Sequence, residues 1–236
     1  MSQESQLKHI AIIMDGNARW AKKNNLSLFN GHRKGVENIK NIAEGCIENN
    51  ITHLTLYALS AENWKRPKIE IDNLLNLLDE YIGNSIKPLI ENDVRINIFG
   101  DLSKIPQKTL DKIQKIQLDT ANNKALNLNV AFGYGAKQEI TRAVKNIAFD
   151  VRDKKIDPQD IDEELVSRNL YISDLPDPDL LIRTAGDLRV SNFLLWQIAY
   201  SELYFINDFW PDFNKKKLKL AIIDFNNRER RYGKRQ

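Results

Sequence analysis

With a single cysteine, Cys46, the chain can form no internal disulfide. Cys46 falls on an apolar stripe of helical spacing, which points to a buried structural thiol rather than a nucleophile and suits a reducing cytoplasm. No apolar run approaches the roughly 20 residues that cross a bilayer. The opening MSQESQLKH lacks the apolar region of a signal peptide, so a protein that neither spans a membrane nor is exported by that route is expected. No Gly-Lys-Ser or Gly-Lys-Thr phosphate loop is present, which argues against ordinary nucleoside triphosphate hydrolysis. The segment FGYGAKQ around Gly133 and Gly135 carries two glycines of a dinucleotide fingerprint, but Gln138 stands at the third, and Gly135 suits a plain strand-to-helix turn equally well. IIMDGN has the strand-then-aspartate form of the haloacid dehalogenase phosphatases, yet Asn17 replaces their second aspartate, the expected general acid.

What is present describes one α/β domain over residues 1–236. Apolar content is 42% over 236 residues, enough for a sizeable core. Short apolar runs near residues 9–14, 53–58, 94–99, 126–132 and 179–183 alternate with amphipathic segments, the pattern of βαβ units around a mostly parallel sheet of about six strands. Val36, Ile39, Ile42, Ala43, Cys46 and Ile47 recur at helical spacing between the first two strands, and Leu74, Leu75, Leu77, Leu78, Tyr81 and Ile82 mark the next helix. Most of these are ordinary core positions. An apolar tunnel beside the sheet, next to a phosphate site, would also suit a lipid diphosphate. The charged stretch from Arg152 to Glu164 reads as a surface connection. Net charge is +3, but residues 214–236 hold nine Lys or Arg and two acids, a local +7, leaving −4 elsewhere. Such a tail is either a solvated helix face or a partner for anions; without aromatic-rich readout surface it does not indicate nucleic acid.

The residues with chemistry cluster after the strands. In HIAIIMDGNARW, a buried strand ends in Asp15, Gly16 and Asn17: a carboxylate there can hold a metal, glycine admits a ligand close to the backbone, and Arg19 can clamp an anion. Arg183, Arg189 and Ser191 follow a later strand and offer a second anion grip, with Glu202 as a further carboxylate. Two anion sites around one cation imply two phosphorylated substrates. His32 in GHRKG opens a helix, where it either meets a phosphate oxygen or only helps cap the helix. Ser60, Glu62, Asn63, Trp64 and Arg66 in LSAENWKRP lie past a strand, as ligand groups of open α/β sheets do, or form a loop packed by Trp64.

Together, HIAIIMDGNARW, GHRKG, LSAENWKRP, DLLIRTAGDLRVSNFLLWQIAYSELYF, WPDF and NRERRYG make the chain resemble, nearly end to end, the cis-prenyltransferase family and most closely its bacterial undecaprenyl diphosphate synthases. The Asp-Asp-x-x-Asp motif of trans-prenyltransferases is absent, in keeping with the cis class. The resemblance implies repeated condensation of isopentenyl diphosphate onto an allylic primer, usually farnesyl diphosphate, to give undecaprenyl diphosphate, the lipid carrier for cell-wall glycans. It implies Asp15 as the carboxylate for Mg2+, with Gly16, Asn17, Arg19, Trp20 and His32 around the allylic diphosphate. Asn17, Ser60 and Asn63 would assist the condensation; Glu62, Trp64, Arg66 and Glu70 would belong to substrate binding and the loop after Trp64. Arg183, Arg189 and Ser191 match the isopentenyl diphosphate site, Glu202 a glutamate associated with magnesium and the subunit interface, and Arg231 and Gly233 a tail that in relatives reaches a diphosphate across a homodimer. A cytoplasmic enzyme, peripheral at the inner face of the plasma membrane for product release, is the corresponding expectation.

Three positions depart from the family pattern: Leu28, where relatives carry arginine four residues before the histidine, and Asp187 and Leu188, where glutamate and a polar residue are common. A noncatalytic partner subunit would bind diphosphate without turnover, and a phosphatase would release phosphate without chain growth; retention of Asp15 speaks against the first.

Overall fold

The computed structural model describes residues 7–230. The chain runs β1 (His9–Ile13), α1 (Asn17–Lys23), α2 (Leu28–Glu48), β2 (His53–Ser60), a 3-10 turn (Ala61–Lys65), α3 (Lys68–Glu80), a π-helical turn (Tyr81–Ser85), α4 (Lys87–Glu91) and β3 (Val94–Phe99). It continues through α5 (Gln107–Asp119), β4 (Leu126–Tyr134), α6 (Ala136–Arg152), α7 (Glu163–Arg168), β5 (Leu180–Arg183), β6 (Glu202–Phe205) and α8 (Lys215–Asn226).

The six strands form one sheet in the order β3-β4-β2-β1-β5-β6, every neighbouring pair parallel. All five residues of β1 are buried, as expected of a central parallel strand covered on both faces. Ile10 and Ile12 face a large core with Leu54, Leu56 and Leu128, roofed by Ile39 and Ile42 of α2, Leu78 of α3 and Leu218 of α8. Ala11 and Ile13 face the other side, with Tyr57, Ala131, Leu181, Phe193 and Leu194 and the first residue of α6. Cys46 is fully buried in the first core, which raises its thiol pKa and leaves it inert.

The five strands expected from the sequence are all present. The sixth, β6 inside SELYF, has no mark in the periodicity because it has four residues and lies on the sheet edge, with Leu203 exposed. The helix expected over Leu74 to Ile82 is regular only to Glu80 and continues as the π-helical turn. FGYG closes β4 and caps α6, its Gly135 lying against the side chains of Gln138 and Asn192, so it is a strand-to-helix turn rather than a nucleotide loop. The basic run in α8 is partly paired: Lys215 bonds to Glu44 and Glu48, and Lys217 to Asp208, while Lys216 and Lys219 are exposed.

The topology around β1 sets the position of the functional groups. The chain leaving β1 turns into α1 and α2 on one face, whereas the chain leaving the adjacent β5 turns to Phe193 and Leu194 on the other. A crevice therefore opens between the carboxyl ends of β1 and β5, the place where open α/β sheets bind ligands.

Candidate active site

Asp15 and Arg183 stand on either side of that crevice. The backbone of Asp15 is fixed by its strand neighbour: Thr184 Oγ1 accepts from the Asp15 amide at 2.9 Å and donates to the Asp15 carbonyl at 2.7 Å. Gly16 follows at φ 104°, and a Cβ there would lie 2.7 Å from Phe209 and 2.9 Å from Ala185, so only glycine makes this turn between two packed loops. The loop after β5 is strained in the same way without glycine's help. Ala185, Ser191, Asn192 and Leu194 all have positive φ, a conformation that costs of order 1 kcal/mol or more each and collects at functional sites.

The strain holds an arginine fork in place. Arg183, almost entirely buried, donates through Nη2 to Asp15 Oδ2 at 2.9 Å and through Nη1 to Ser191 Oγ at 2.7 Å and to the Arg189 carbonyl. Arg19 reaches Asp15 Oδ1 at 3.1 Å, the Ala185 carbonyl at 3.0 Å and Asp187 at 3.1 Å. Arg189 also pairs with Asp187 at 3.1 Å. The hydrogen bond with Asp15 and the nearby charges of Arg189, Arg19 and Arg183 hold the Asp187 carboxyl below its usual range. Two carboxylates are thus threaded between three guanidinium groups that would otherwise face one another. Tyr57, stacked on Phe193 with centroids 4.3 Å apart, donates to the Tyr134 carbonyl and supports the Ser191 carbonyl.

The opposite wall comes from α1, α2 and α3. Asn17 nests against α2 because Gly31 and Gly35 leave room for it; a Cβ would meet Asn17 O at 2.4 Å and Asn17 Oδ1 at 2.5 Å, respectively. Asn17 Oδ1 is buried without a hydrogen-bond partner, as is His32 Nε2, which stops 3.7 Å from Glu70. Burial and the charge of Arg66 lower the His32 pKa, so the imidazole is neutral at pH 7. Arg66 pairs with Glu70 at 2.8 Å, and Ser60 and Asn63 form a reciprocal capping box that stops β2 and starts the 3-10 turn.

These walls enclose a cavity of about 510 Å³. It brings together Asp15, Gly16, Asn17, Arg19, His32, Ser60, Asn63, Arg66, Glu70, Arg183, Arg189 and Ser191, four arginines against two carboxylates, which is a surplus suited to anions. A second cavity of about 80 Å³ shares Met14, Asn17, His32, Ala58 and Leu74 with the first and continues between Leu77, Leu78, Tyr81, Ile96, Ile98, Leu128 and Phe132. The polar cavity therefore opens into an apolar one, with Asn17 and His32 at the neck.

Other candidates lie apart. Trp20 donates to Asp212 at 2.8 Å, Glu62 accepts from Asn192 at 3.0 Å, and Trp64 packs against Phe132 with Lys104 over its ring; none of the three lines either cavity. Glu202 begins β6 opposite Leu180, three register steps from Arg183 and so roughly 10 Å back along the sheet, where it pairs with Arg228 at 2.8 Å. Within one chain it does not join Asp15. Arg231 and Gly233 lie outside the described residues. Conversely, Thr184 and Tyr57 have roles that no motif signals, although a threonine directly after the strand-ending Arg183 is a legible hint.

The residues fit magnesium only in company. No group of three His, Cys, Asp or Glu able to hold a metal occurs among the described residues. Asp15 is 27% exposed and shares the cavity lining with Asn17, whose Oδ1 is orphaned, a pattern that suits a cation bound through one carboxylate and substrate phosphate oxygens.

A family model described as putative undecaprenyl diphosphate synthase matches residues 13–233. The isoprenyl transferase of Clostridium tetani is 48% identical over 226 residues, covering 96% of this chain and 89% of the relative. Among solved structures, a probable undecaprenyl diphosphate synthase from Campylobacter jejuni superposes with a TM-score of 0.81 at 39% identity, covering 98% of this chain and 100% of that one. Lavandulyl diphosphate synthase from Lavandula x intermedia, in complex with dimethylallyl diphosphate, superposes with a TM-score of 0.94 at 35% identity, covering 97% and 99%.

Proposed function

The chain belongs to the undecaprenyl diphosphate synthase family, and we propose from that premise that it condenses isopentenyl diphosphate repeatedly onto farnesyl diphosphate, with cis geometry at each new double bond, to give undecaprenyl diphosphate for cell-wall glycan synthesis. The observation that carries this reading is the neck between the two cavities. A diphosphate gripped beside Asp15 and Arg19 would direct its hydrocarbon past Asn17 and His32 into the space lined by Leu74, Leu77 and Leu78. Arg183, Arg189 and Ser191 on the β5 side offer the place for a second diphosphate, so the isopentenyl double bond would approach the allylic carbon at the neck.

Asp15 and the diphosphate oxygens would hold Mg2+, which when bound supplies charge neutralisation that makes diphosphate a better leaving group. Arg19 spreads the charge that develops as the allylic C–O bond breaks, Arg183 braces Asp15 from the side of the second diphosphate, and Thr184 keeps Asp15 from turning away. Neutral His32 offers a hydrogen bond from Nε2 to the diphosphate at the neck without adding charge, while Asn17 Oδ1, an acceptor, would face the cation. The lining offers no strongly basic side chain for the proton lost from the isopentenyl unit, and the family resemblance implies that a diphosphate oxygen takes part in accepting it.

A homodimer is part of the proposal. β6 is a sheet edge, and Leu203 on it, Tyr200 before it and Leu220 and Ile223 on α8 are exposed apolar side chains of the sort an interface covers. Arg231 and Gly233 are proposed to act on a diphosphate across that dimer. No helix of the described residues is long and apolar enough to cross a membrane, and release of product is assigned to a transient peripheral contact at the inner face of the plasma membrane.

The likeness to lavandulyl diphosphate synthase favours a second reading, a single condensation giving a short product. Incorporation of labelled isopentenyl diphosphate into extractable lipid, with farnesyl or dimethylallyl diphosphate and with magnesium present or chelated, decides between them. Long products that vanish with chelation are expected; a short product would select the second reading, and phosphate release without chain growth would overturn both.

A further inference from the structure

Four large apolar side chains that face solvent stand around the mouth of the polar cavity, on three different loops. Leu26 is 45% and Leu28 39% exposed, between α1 and the first turn of α2; Ile69 is 75% exposed at the start of α3; and Leu188 is 76% exposed between Asp187 and Arg189. Each is within two residues of a side chain that lines the cavity, namely Leu28 itself, Glu70 and Arg189. His32 of α2 and Glu70 of α3 lie 3.7 Å apart and both line the cavity, so the first two of these segments border one opening. Leaving such residues in water at a single rim has a cost that scattered surface leucines do not explain.

Four lysines interleaved with them are unpaired, whereas the acids beside the apolar tips are engaged, Asp187 by Arg19 and Arg189 and Glu70 by Arg66. Lys22 and Lys23 end α1, Lys65 and Lys68 flank Arg66 and Pro67, and these four exposed lysines take part in none of the ion pairs found among the described residues. Arg33 and Lys34, a turn farther along α2, are by contrast neutralised by Glu80 and Glu37. Apolar tips among unpaired lysines match an anionic bilayer surface, with tips entering the acyl boundary and ammonium groups meeting lipid phosphates.

We propose that this rim, Leu26, Leu28, Ile69 and Leu188 with Lys22, Lys23, Lys65 and Lys68, is the surface by which the protein docks on an anionic membrane, so that the cavity mouth opens onto the lipid. The inference rests on the prenyl-transfer reading for its purpose, since a polyprenyl product leaving a cavity that faces lipid never has to cross water. It stands on its own side chains for its geometry.

The test is co-flotation of the full chain with vesicles of phosphatidylcholine alone or with phosphatidylglycerol. Binding is expected only to the anionic vesicles. Leu26→Ser with Ile69→Ser and Leu188→Ser should weaken it about tenfold, as should Lys22→Gln with Lys23→Gln, the latter removing about half of its salt dependence. Leu118→Ser, on the equally exposed leucine of α5, should leave binding unchanged. No flotation of the parent chain, equal loss in the Leu118 variant, or a changed oligomeric state of the apolar triple variant without vesicles would each overturn the proposal, the last by making the rim an interface between copies. Isopentenyl incorporation measured without vesicles separates the two readings: activity without flotation removes the docking surface alone, and flotation without incorporation removes the prenyl-transfer function alone.

Discussion

The two joined cavities are built on opposite principles. The polar one, between the carboxyl ends of β1 and β5, is held by directional bonds: Thr184 to the Asp15 backbone, Arg183 to Asp15 and Ser191, and a strained loop that aims them. The apolar one is held mainly by packing, with a side-chain bond in its wall from Trp210 Nε1 to the Gly35 carbonyl at 2.7 Å. Leu74, Leu77, Leu78 and Phe132 line it by packing, and the orphaned hydroxyl of Tyr81 has no partner there. Fixed atoms suit charged ligands, whereas a hydrocarbon needs only space that can yield; beside that space α3 gives way to a π-helical turn, with Tyr81 and Ile86 at its two ends lining the cavity.

Breaking the polar side should have the largest effect. Asp15→Ala is expected to lower kcat about a thousandfold while lowering the melting temperature by only a few degrees, because the carboxylate is partly exposed and buried Arg183 keeps its bonds to Ser191 and the Arg189 carbonyl. A fully active variant would sink the assignment. On the apolar side, Leu78→Ala should do the reverse, costing about 3 kcal/mol of stability in denaturant unfolding while retaining turnover and lengthening the product distribution on chromatography. Unchanged products would show that this cavity does not receive the chain.

A third experiment separates the sheet's two ends. At the amino end His9 is fully buried, bonded to Thr55 and the Pro176 carbonyl, and burial lowers its pKa from 6.5 to about 4. The native state thus keeps His9 neutral. Its contribution is complete above pH 6.5 and is lost as pH falls to 4, a destabilisation on the order of 2 to 3 kcal/mol that His9→Gln should largely abolish in melting curves. An unchanged pH slope in that variant would count against it. The smallest effect is expected from Thr184→Val, which keeps shape but removes the hydroxyl bonds to Asp15: about 1 kcal/mol of stability, and a fall in kcat of about tenfold or less with KM little changed. A pure KM effect would mean that Thr184 does not orient Asp15.

Much of this architecture is legible in the chain where the signal is local. Alternating apolar runs mark five strands, and a carboxylate or arginine directly after a strand marks Asp15 and Arg183, because in a parallel sheet the residue past a strand's carboxyl end must face the crevice. Trp64 and Trp20 illustrate the limit. They sit in the same motifs as cavity residues, but Trp64 packs into the core against Phe132 and Trp20 turns away to Asp212. Glu202 shows it again, since nothing in SELYF says that its strand begins at the far end of the sheet.

Residue type and periodicity alone thus give the class of fold and point to polar groups that the fold gathers in one cavity, since both are properties of neighbours along the chain. The pairing of β5 with β1 rather than with another strand belongs to the folded molecule, and it puts Arg183 2.9 Å from Asp15 across 168 residues and joins a polar cavity to an apolar one. Those distances follow from sheet order and side-chain packing, which depend on contacts between residues far apart in the chain and leave no local pattern to read.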